Sequence, residues 1–226
     1  MRLFLFSSIL VFPSFLFAQS EDCHCLKPEI EIGIGPQLSI PVITEYEVGL
    51  VGNNKPSTQG QFGYSFHLAI RTHPAHFQAG LQLLQDLKRF DVYIPLHWPS
   101  MESSHWNNAY TTYRLGLGTH LRYNFERFYV QGGLAYMEEF SNTTHVMVEE
   151  PGAPGFTYDE SYSSDSGVLI KASIGIKDNS DRLSADLGFS YDAAIHEFNH
   201  ELFAHYWKAR VNFISLTLNY RLNNIE

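Results

Sequence analysis

Alternation of apolar residues with small or polar residues, at a period of two, is the feature that most constrains the fold of this 226-residue chain. The alternation recurs in eight stretches, and each is about as long as the 9–11 residues that a tilted membrane strand needs. The sequence therefore predicts an all-β chain. The predicted strands are 30–39, 61–71, 76–87, 110–123, 128–140, 167–177, 182–195 and 209–222.

Three of the predicted connections, 72–75, 124–127 and 178–181, are short and rich in turn-forming residues. Each creates an antiparallel hairpin, in which residues that face each other must point to the same side of the sheet. Folding the chain about these turns sets apolar residues opposite one another and collects glycine, serine, glutamine and charged residues on the other face. The predicted facing pairs nearest the turns are Ile70 with Phe77, Tyr123 with Phe128, and Ile176 with Leu183.

The polarity of the two faces distinguishes a membrane barrel from a soluble one. A soluble sandwich or lipocalin directs its large apolar residues inward. Here the other face combines small residues with charges, which suits the crowded polar interior of a narrow membrane barrel. Long connections at 40–60, 89–109, 141–166 and 196–208 alternate with the tight turns. We therefore predict an eight-stranded antiparallel up-and-down transmembrane β-barrel with four long external loops and three short periplasmic turns.

The N-terminal residues predict a signal peptide, residues 1–18. Arg2 precedes a short apolar run that contains Pro13 and ends at the small residue Ala18. The run is shorter than the roughly 20 residues of a spanning helix. We divide the remaining chain into a periplasmic tail (19–29), the barrel (30–222) and a C-terminal tail (223–226).

The last predicted strand, Ile214-Ser215-Leu216-Thr217-Leu218-Asn219-Tyr220-Arg221-Leu222, resembles the C-terminal strand of outer-membrane β-barrel proteins, especially the small barrels common in Bacteroidota. In that family the strand usually ends on a terminal aromatic residue that the barrel-assembly machinery reads. In this chain four residues follow Leu222. The resemblance implies an outer-membrane location, with membrane lipids and the assembly machinery as partners. It brings no functional residues with it.

Charge limits the partners further. The chain has a formal net charge of −9 and its basic residues do not cluster, which disfavours nucleic-acid binding. No phosphate-binding glycine loop is present, so we predict no cofactor. We expect a monomer with an unidentified external ligand.

Charged residues on the inward faces predict a network that closes the lumen, because a buried charge without a partner costs several kcal/mol. The predicted registers make Lys171 and Asp186 diagonal neighbours, and they place Arg114 and Glu139 near the loop end of the second hairpin. The predicted network consists of Arg114, Glu139, Lys171, Asp186 and Asp192.

Histidines in the predicted loops are weak metal candidates, as is the Cys23-His24-Cys25 sequence, which has suitable ligand types but no fourth ligand. His196, His200 and His205 lie in the fourth loop, and the spacing of the first two would put both on one face of a helix. The alternative is that these histidines bind nothing in particular. Serines 161, 163, 164 and 166, together with Asp165 and the loop histidines, supply the residue types of a hydrolase. The His-x-Ser arrangement expected of barrel lipid A deacylases is not present, so no catalytic residue is assigned.

Three functions are compatible with the sequence. The first is a structural, binding or adhesion role through external loops, without catalysis. The second is a lipid-modifying enzyme of the lipid A deacylase or acyltransferase type. The third is a secreted soluble barrel that binds a small apolar ligand.

Overall fold

The computed structural model describes residues 28–47, 56–72, 76–98, 101–149, 156–160, 166–180, 182–200 and 205–222. The predicted signal peptide, most of the predicted periplasmic tail and the C-terminal tail lie outside these residues. Within them no helix is long and apolar enough to cross a bilayer. The described strands are β1 (Glu29–Glu47), β2 (Ser57–Gly60), β3 (Phe62–Arg71), β4 (Phe77–Trp98), β5 (Met101–Asn124), β6 (Phe128–Glu149), β7 (Phe156–Glu160), β8 (Gly167–Lys177), β9 (Leu183–Asp192), β10 (His196–His200) and β11 (His205–Leu222).

Eight of these strands form a closed ring in the order β1, β3, β4, β5, β6, β8, β9 and β11, and β11 pairs again with β1. Every pairing in the ring is antiparallel. Closure leaves no strand edge in the ring itself, which is a requirement for sheets in hydrocarbon. The predicted eight-stranded barrel is confirmed.

The outside of the ring carries a continuous apolar band. Leu117 is 49% exposed and Leu218 is 64% exposed, while the residues next to them in sequence point inward and are buried or close-packed. Aromatic side chains lie at both margins of the band, with Tyr123 against Phe125 at the turn end and Tyr113 against Phe140 at the other. A ring that is apolar outside and polar inside has the architecture of an outer-membrane barrel and is opposite in polarity to a soluble ligand-binding barrel.

The three predicted registers are wrong by an even number of residues. Ile70 faces Leu81 rather than Phe77, which is a difference of four. Tyr123 faces Val130 rather than Phe128, and Ile176 faces Ala185 rather than Leu183. The connections are therefore wider than the turn residues indicate. Because side chains alternate with a period of two, an even slip changes the partners but leaves every side chain on its predicted face.

The segments predicted as long loops contain strands. Strand β4 has 22 residues, β5 has 24 and β6 has 22, about twice the length that a membrane crossing needs. Strands β2, β7 and β10 lie wholly within the predicted loops and pair with β4, β6 and β11. The wall thus continues beyond the apolar band as a β-structured external extension. The predicted loop 89–109 is wrong for residues 89–98 and 101–109, which form one hairpin.

Candidate functional site

The lumen contains two separate groups of charged side chains. In the external group, Arg114 donates through Nε and Nη2 to both carboxylate oxygens of Asp86, at 2.8 and 2.7 Å, and through Nη1 to Asp192. Lys88 donates to Glu139 at 2.6 Å. All five side chains are almost completely buried. The Arg114 guanidinium also lies 4.9 Å from the centre of the Phe213 ring, so it is held on two sides.

The periplasmic group is organised around one carboxylate. Glu31 accepts a bidentate pair of hydrogen bonds from Arg71 and two further bonds from Arg122, at 3.1 and 3.2 Å. The Arg71 Nε also donates to His120, at 2.8 Å. Arg122 stacks on Tyr129, with 3.9 Å between the guanidinium carbon and the ring centre. Bidentate arginine contacts of this kind fix geometry as well as charge.

Between the two groups lies Asp186. Its Oδ2 accepts hydrogen bonds from the hydroxyl of Tyr129, at 3.0 Å, and from Nδ2 of Asn219, at 2.8 Å. Tyr129 crosses the lumen here because its register partner is Gly175, where a Cβ would lie 2.5 Å from the tyrosine oxygen. Glycine on the inward face therefore makes room for the aromatic ring.

The five residues of the predicted network all face the lumen, but the one pair predicted among them, Lys171 with Asp186, is not formed. Arg114 and Glu139 are register partners. Their side chains nevertheless bond elsewhere, to Asp86 and Asp192 in one case and to Lys88 in the other. Lys171 faces Ser190, and Asp186 faces Gly175, so these two residues are not the predicted diagonal neighbours.

The prediction missed the periplasmic group. Its signal is present in the first strand, where Glu29 and Glu31 alternate with isoleucine and must therefore point inward. The cationic partners are distant in sequence, since Arg71 is 40 residues from Glu31 and Arg122 is 91. Only the closed ring brings the three together.

Charges in the described lumen balance. Six basic side chains (Arg71, Lys88, Arg114, Arg122, Lys171, Arg221) stand against six acidic ones (Glu29, Glu31, Asp86, Glu139, Asp186, Asp192). The net charge of −9 therefore resides on the rest of the chain. Pairing of this kind spares most of the charges in a narrow lumen the cost of isolation in a low-dielectric space.

An apolar cluster closes the external end of the lumen, and we call it the apolar cap. The Tyr110 ring stacks on Phe90 at 4.8 Å and meets Trp207 edge-on at 5.5 Å. These rings lie inside the external extension rather than in the membrane band. The apolar cap comprises Phe90, Val92, Ile94, Tyr110, Trp207, Ala209 and Val211, all under 8% exposed.

The weak metal candidates lie on a β-hairpin, not on a helix. His200 pairs in register with His205, and His196 pairs with Ala209. Residues four apart on a strand are separated by roughly 13 Å, so the helical premise for a His196–His200 site is wrong. The side chains of these three histidines are outside the described part of the structure. Among described side chains, no group of three or more histidine, cysteine or acidic residues is arranged to hold a metal.

The hydrolase candidates are not brought together by the described structure. Residues 161–165 lie outside it, and Ser166 begins the segment that leads into β8. The rings of His67, His120 and His76 contact the Glu31 carboxylate, the Arg71 guanidinium and the Asn124 carbonyl respectively, not a serine hydroxyl.

Comparison with known proteins finds similar solved structures at low sequence identity. No family model matches the chain, and no curated protein matches it. It is similar to the solved structure of Ail, the attachment invasion locus protein of Yersinia pestis, with 12% identity, coverage of 87% of this chain and all of that one, and a TM-score of 0.43. It is also similar to the outer membrane protein OprG from Pseudomonas aeruginosa, with 11% identity, coverage of 88% and 98%, and a TM-score of 0.45. For the outer membrane protease OmpT from Escherichia coli, identity is 9%, coverage is 90% and 100%, and the TM-score is 0.49. At such identities the likeness concerns the fold and assigns no activity.

Proposed function

We propose that the chain is an integral outer-membrane barrel that holds a rigid external extension for binding a partner, and that it transports nothing through its lumen. The observation that carries this proposal is the external extension with its apolar cap. The resemblance of the last strand to small Bacteroidota barrels belongs to the same proposal.

The length of the external extension supports a binding role. Strand β5 has 24 residues, which extend over roughly 80 Å of strand. Only about half of that length is needed to cross the membrane. A wall that continues outward around its own apolar cluster is ordered before a partner arrives. Binding to a surface that is already ordered avoids the entropy loss of ordering a flexible loop.

The charge of the chain supports a basic polypeptide as the partner. From Phe128 to Ile170 the chain contains seven acidic residues and no lysine or arginine. Only one of the seven, Glu139, belongs to the balanced lumen. The hairpin of β6 and β7 places Asp159 opposite the exposed His145, within the external extension. An acidic surface attracts and orients a basic partner, and the attraction weakens as salt is added.

Closure of the lumen argues against a porin. A solute would have to pass the periplasmic group, the external group and the apolar cap in turn. The side chains of all three are almost completely buried, and eight-stranded rings enclose little beyond side chains. We expect planar bilayers containing the purified protein to show no ohmic conductance. Stepwise conductance in the wild type would contradict the closed lumen.

Binding is tested with the full mature chain in lipid nanodiscs. The probe is a synthetic peptide of alternating lysine and threonine, and its control is the same peptide with serine in place of lysine. We expect binding of the lysine peptide that weakens steadily with salt and is reduced several-fold by the variant Asp159→Asn. The matched control is Glu126→Gln, in the turn at the opposite end of the barrel. Equal binding by all three proteins, or equal binding of both peptides, would remove the acidic hairpin as the site.

A further inference from the structure

Lys171 lies between the two charged groups of the lumen and has no direct partner. Within the described part of the chain, the structure gives its ammonium neither a salt bridge nor a hydrogen bond. Of the six basic side chains in the lumen, five form a direct salt bridge with an acidic side chain. Lys171 is the one that does not. An ammonium without a hydrogen-bond acceptor inside a poorly solvated lumen is costly, so some other polar group must accept its hydrogen bonds.

A small polar cavity adjoins Lys171. Its walls include Gln82, Gln131, Ser173, Asp186 and Thr217, and its volume is about 20 Å³. One water requires roughly 10–15 Å³ measured over the positions of its centre, together with two to four polar neighbours. The cavity meets both conditions.

Gln82 supplies an independent observation at the same place. Its side chain is 3% exposed and lines the cavity, and its amide nitrogen has no hydrogen-bond partner. Buried side-chain amides are nearly always hydrogen-bonded, either to protein or to an ordered water. The Gln82 amide, a buried donor without an acceptor, and the Lys171 ammonium, which has no direct salt bridge to an acidic side chain, therefore border one cavity.

We propose that this cavity is a binding site for an ordered water that joins Lys171 and Gln82 to Asp186. The water accepts hydrogen bonds from the two donors and donates to Asp186. The hydrogen bonds to Asp186 reach only Oδ2, which leaves Oδ1 as an acceptor. Lys171 and Asp186 then form an ion pair separated by solvent.

Water suits the site better than a small anion does. The lumen already holds equal numbers of basic and acidic side chains, so an added halide would leave one uncompensated negative charge. A halide in the cavity would also lie beside the Asp186 carboxylate, and like charges at close range repel strongly in a low-dielectric space. A neutral molecule that both donates and accepts satisfies every neighbour.

The test is a crystal structure of the full mature chain, grown with bromide in place of chloride, at a resolution that shows ordered water. We expect a density peak within hydrogen-bond distance of Lys171 Nζ, the Gln82 amide and Asp186 Oδ1, without bromide anomalous signal. An anomalous peak would replace the water with a halide and overturn the proposal. A direct Lys171–Asp186 contact with an empty cavity would overturn it as well.

The variant Gln82→Leu, which has similar volume but no amide, provides the second arm. We expect the peak to be lost or its occupancy to fall at least twofold. The matched control is Gln85→Leu. Gln85 lies on the same strand but points outward to Tyr64, so we expect the density peak in the cavity to remain in this variant. If Gln82→Leu does not assemble, the bromide experiment on the wild type still decides. Full occupancy in Gln82→Leu would contradict the role of the amide.

Discussion

The outward face of β5 can be tested by placing a charge in the middle of the apolar band. Leu117 is 49% exposed and lies midway between Tyr113 and Tyr123, which mark the two margins. Its partners across the sheet are Leu83 and Tyr136, which face the same way. An arginine at this depth cannot reach water without distorting the bilayer or its own side chain.

The expected loss of stability for Leu117→Arg is about 2–4 kcal/mol, the range found for basic residues at the bilayer midplane. Since 1.4 kcal/mol is tenfold in an equilibrium constant, the unfolding constant should rise about 30- to 700-fold. The measurement is reversible urea unfolding in lipid vesicles, followed by tryptophan fluorescence. Heat-modified mobility on gels reports the folded fraction independently.

The matched control is Thr143→Arg. Thr143 is exposed and lies on β6 beyond the aromatic margin, so its arginine extends into water. We expect a change within about 0.5 kcal/mol, as for ordinary surface substitutions. A further variant, Leu117→Ala, separates lost contact from added charge and should lose less than Leu117→Arg. Equal losses for Leu117→Arg and Thr143→Arg would refute the assignment of the membrane band.

Three more predictions follow from the lumen and the turns. Gly118→Ala should lose at least about 1–3 kcal/mol, because its Cβ would lie 2.4 Å from a backbone oxygen, while Gly132→Ala, with a nearest contact of 3.9 Å, should be neutral or slightly stabilising by urea unfolding. Arg114→Met leaves two buried carboxylates without their cation and should cost about 3–5 kcal/mol, with a loss of heat-modified mobility; an unchanged midpoint would show that these charges are solvated. Hydrogen bonds from the Ser180 hydroxyl and from backbone amides hold the pKa of Asp178 below its ordinary value. The turn is therefore stabilised above the ordinary carboxylate pKa and loses that contribution as pH falls through the lowered value, which amide exchange in the turn should report and Asp178→Asn should abolish.

The face of each residue could be predicted from the chain, whereas the partner of each residue could not. Arg114 and Asp192 were predicted to point inward from their place in the alternation, and both do. Their mutual contact spans 78 residues of sequence and depends on how far each strand slides past the next. Turn residues limit that slide only loosely, as the shifts of two and four residues in the hairpins show.

The external extension was missed because strands outside the membrane follow a different rule. In β4 the inward positions change from Gln82 and Asp86 within the band to Phe90, Val92 and Ile94 beyond it. Outside the membrane the inward face is apolar and the outward face is polar, so the polarity inverts along a single strand. A prediction based on strands of membrane length therefore ends each strand at that inversion and assigns the rest of the strand to a loop.

The antiparallel ring and its two faces follow from the sequence. An alternation of period two assigns every side chain to one of two faces, and an apolar face of this extent requires contact with lipid. Tertiary structure alone decided which charges meet, where the lumen keeps a cavity beside Lys171, and how far the wall rises beyond the membrane. Those outcomes depend on the relative shift of strands distant in sequence, which is fixed by packing around the whole closed ring and leaves no local trace in the chain.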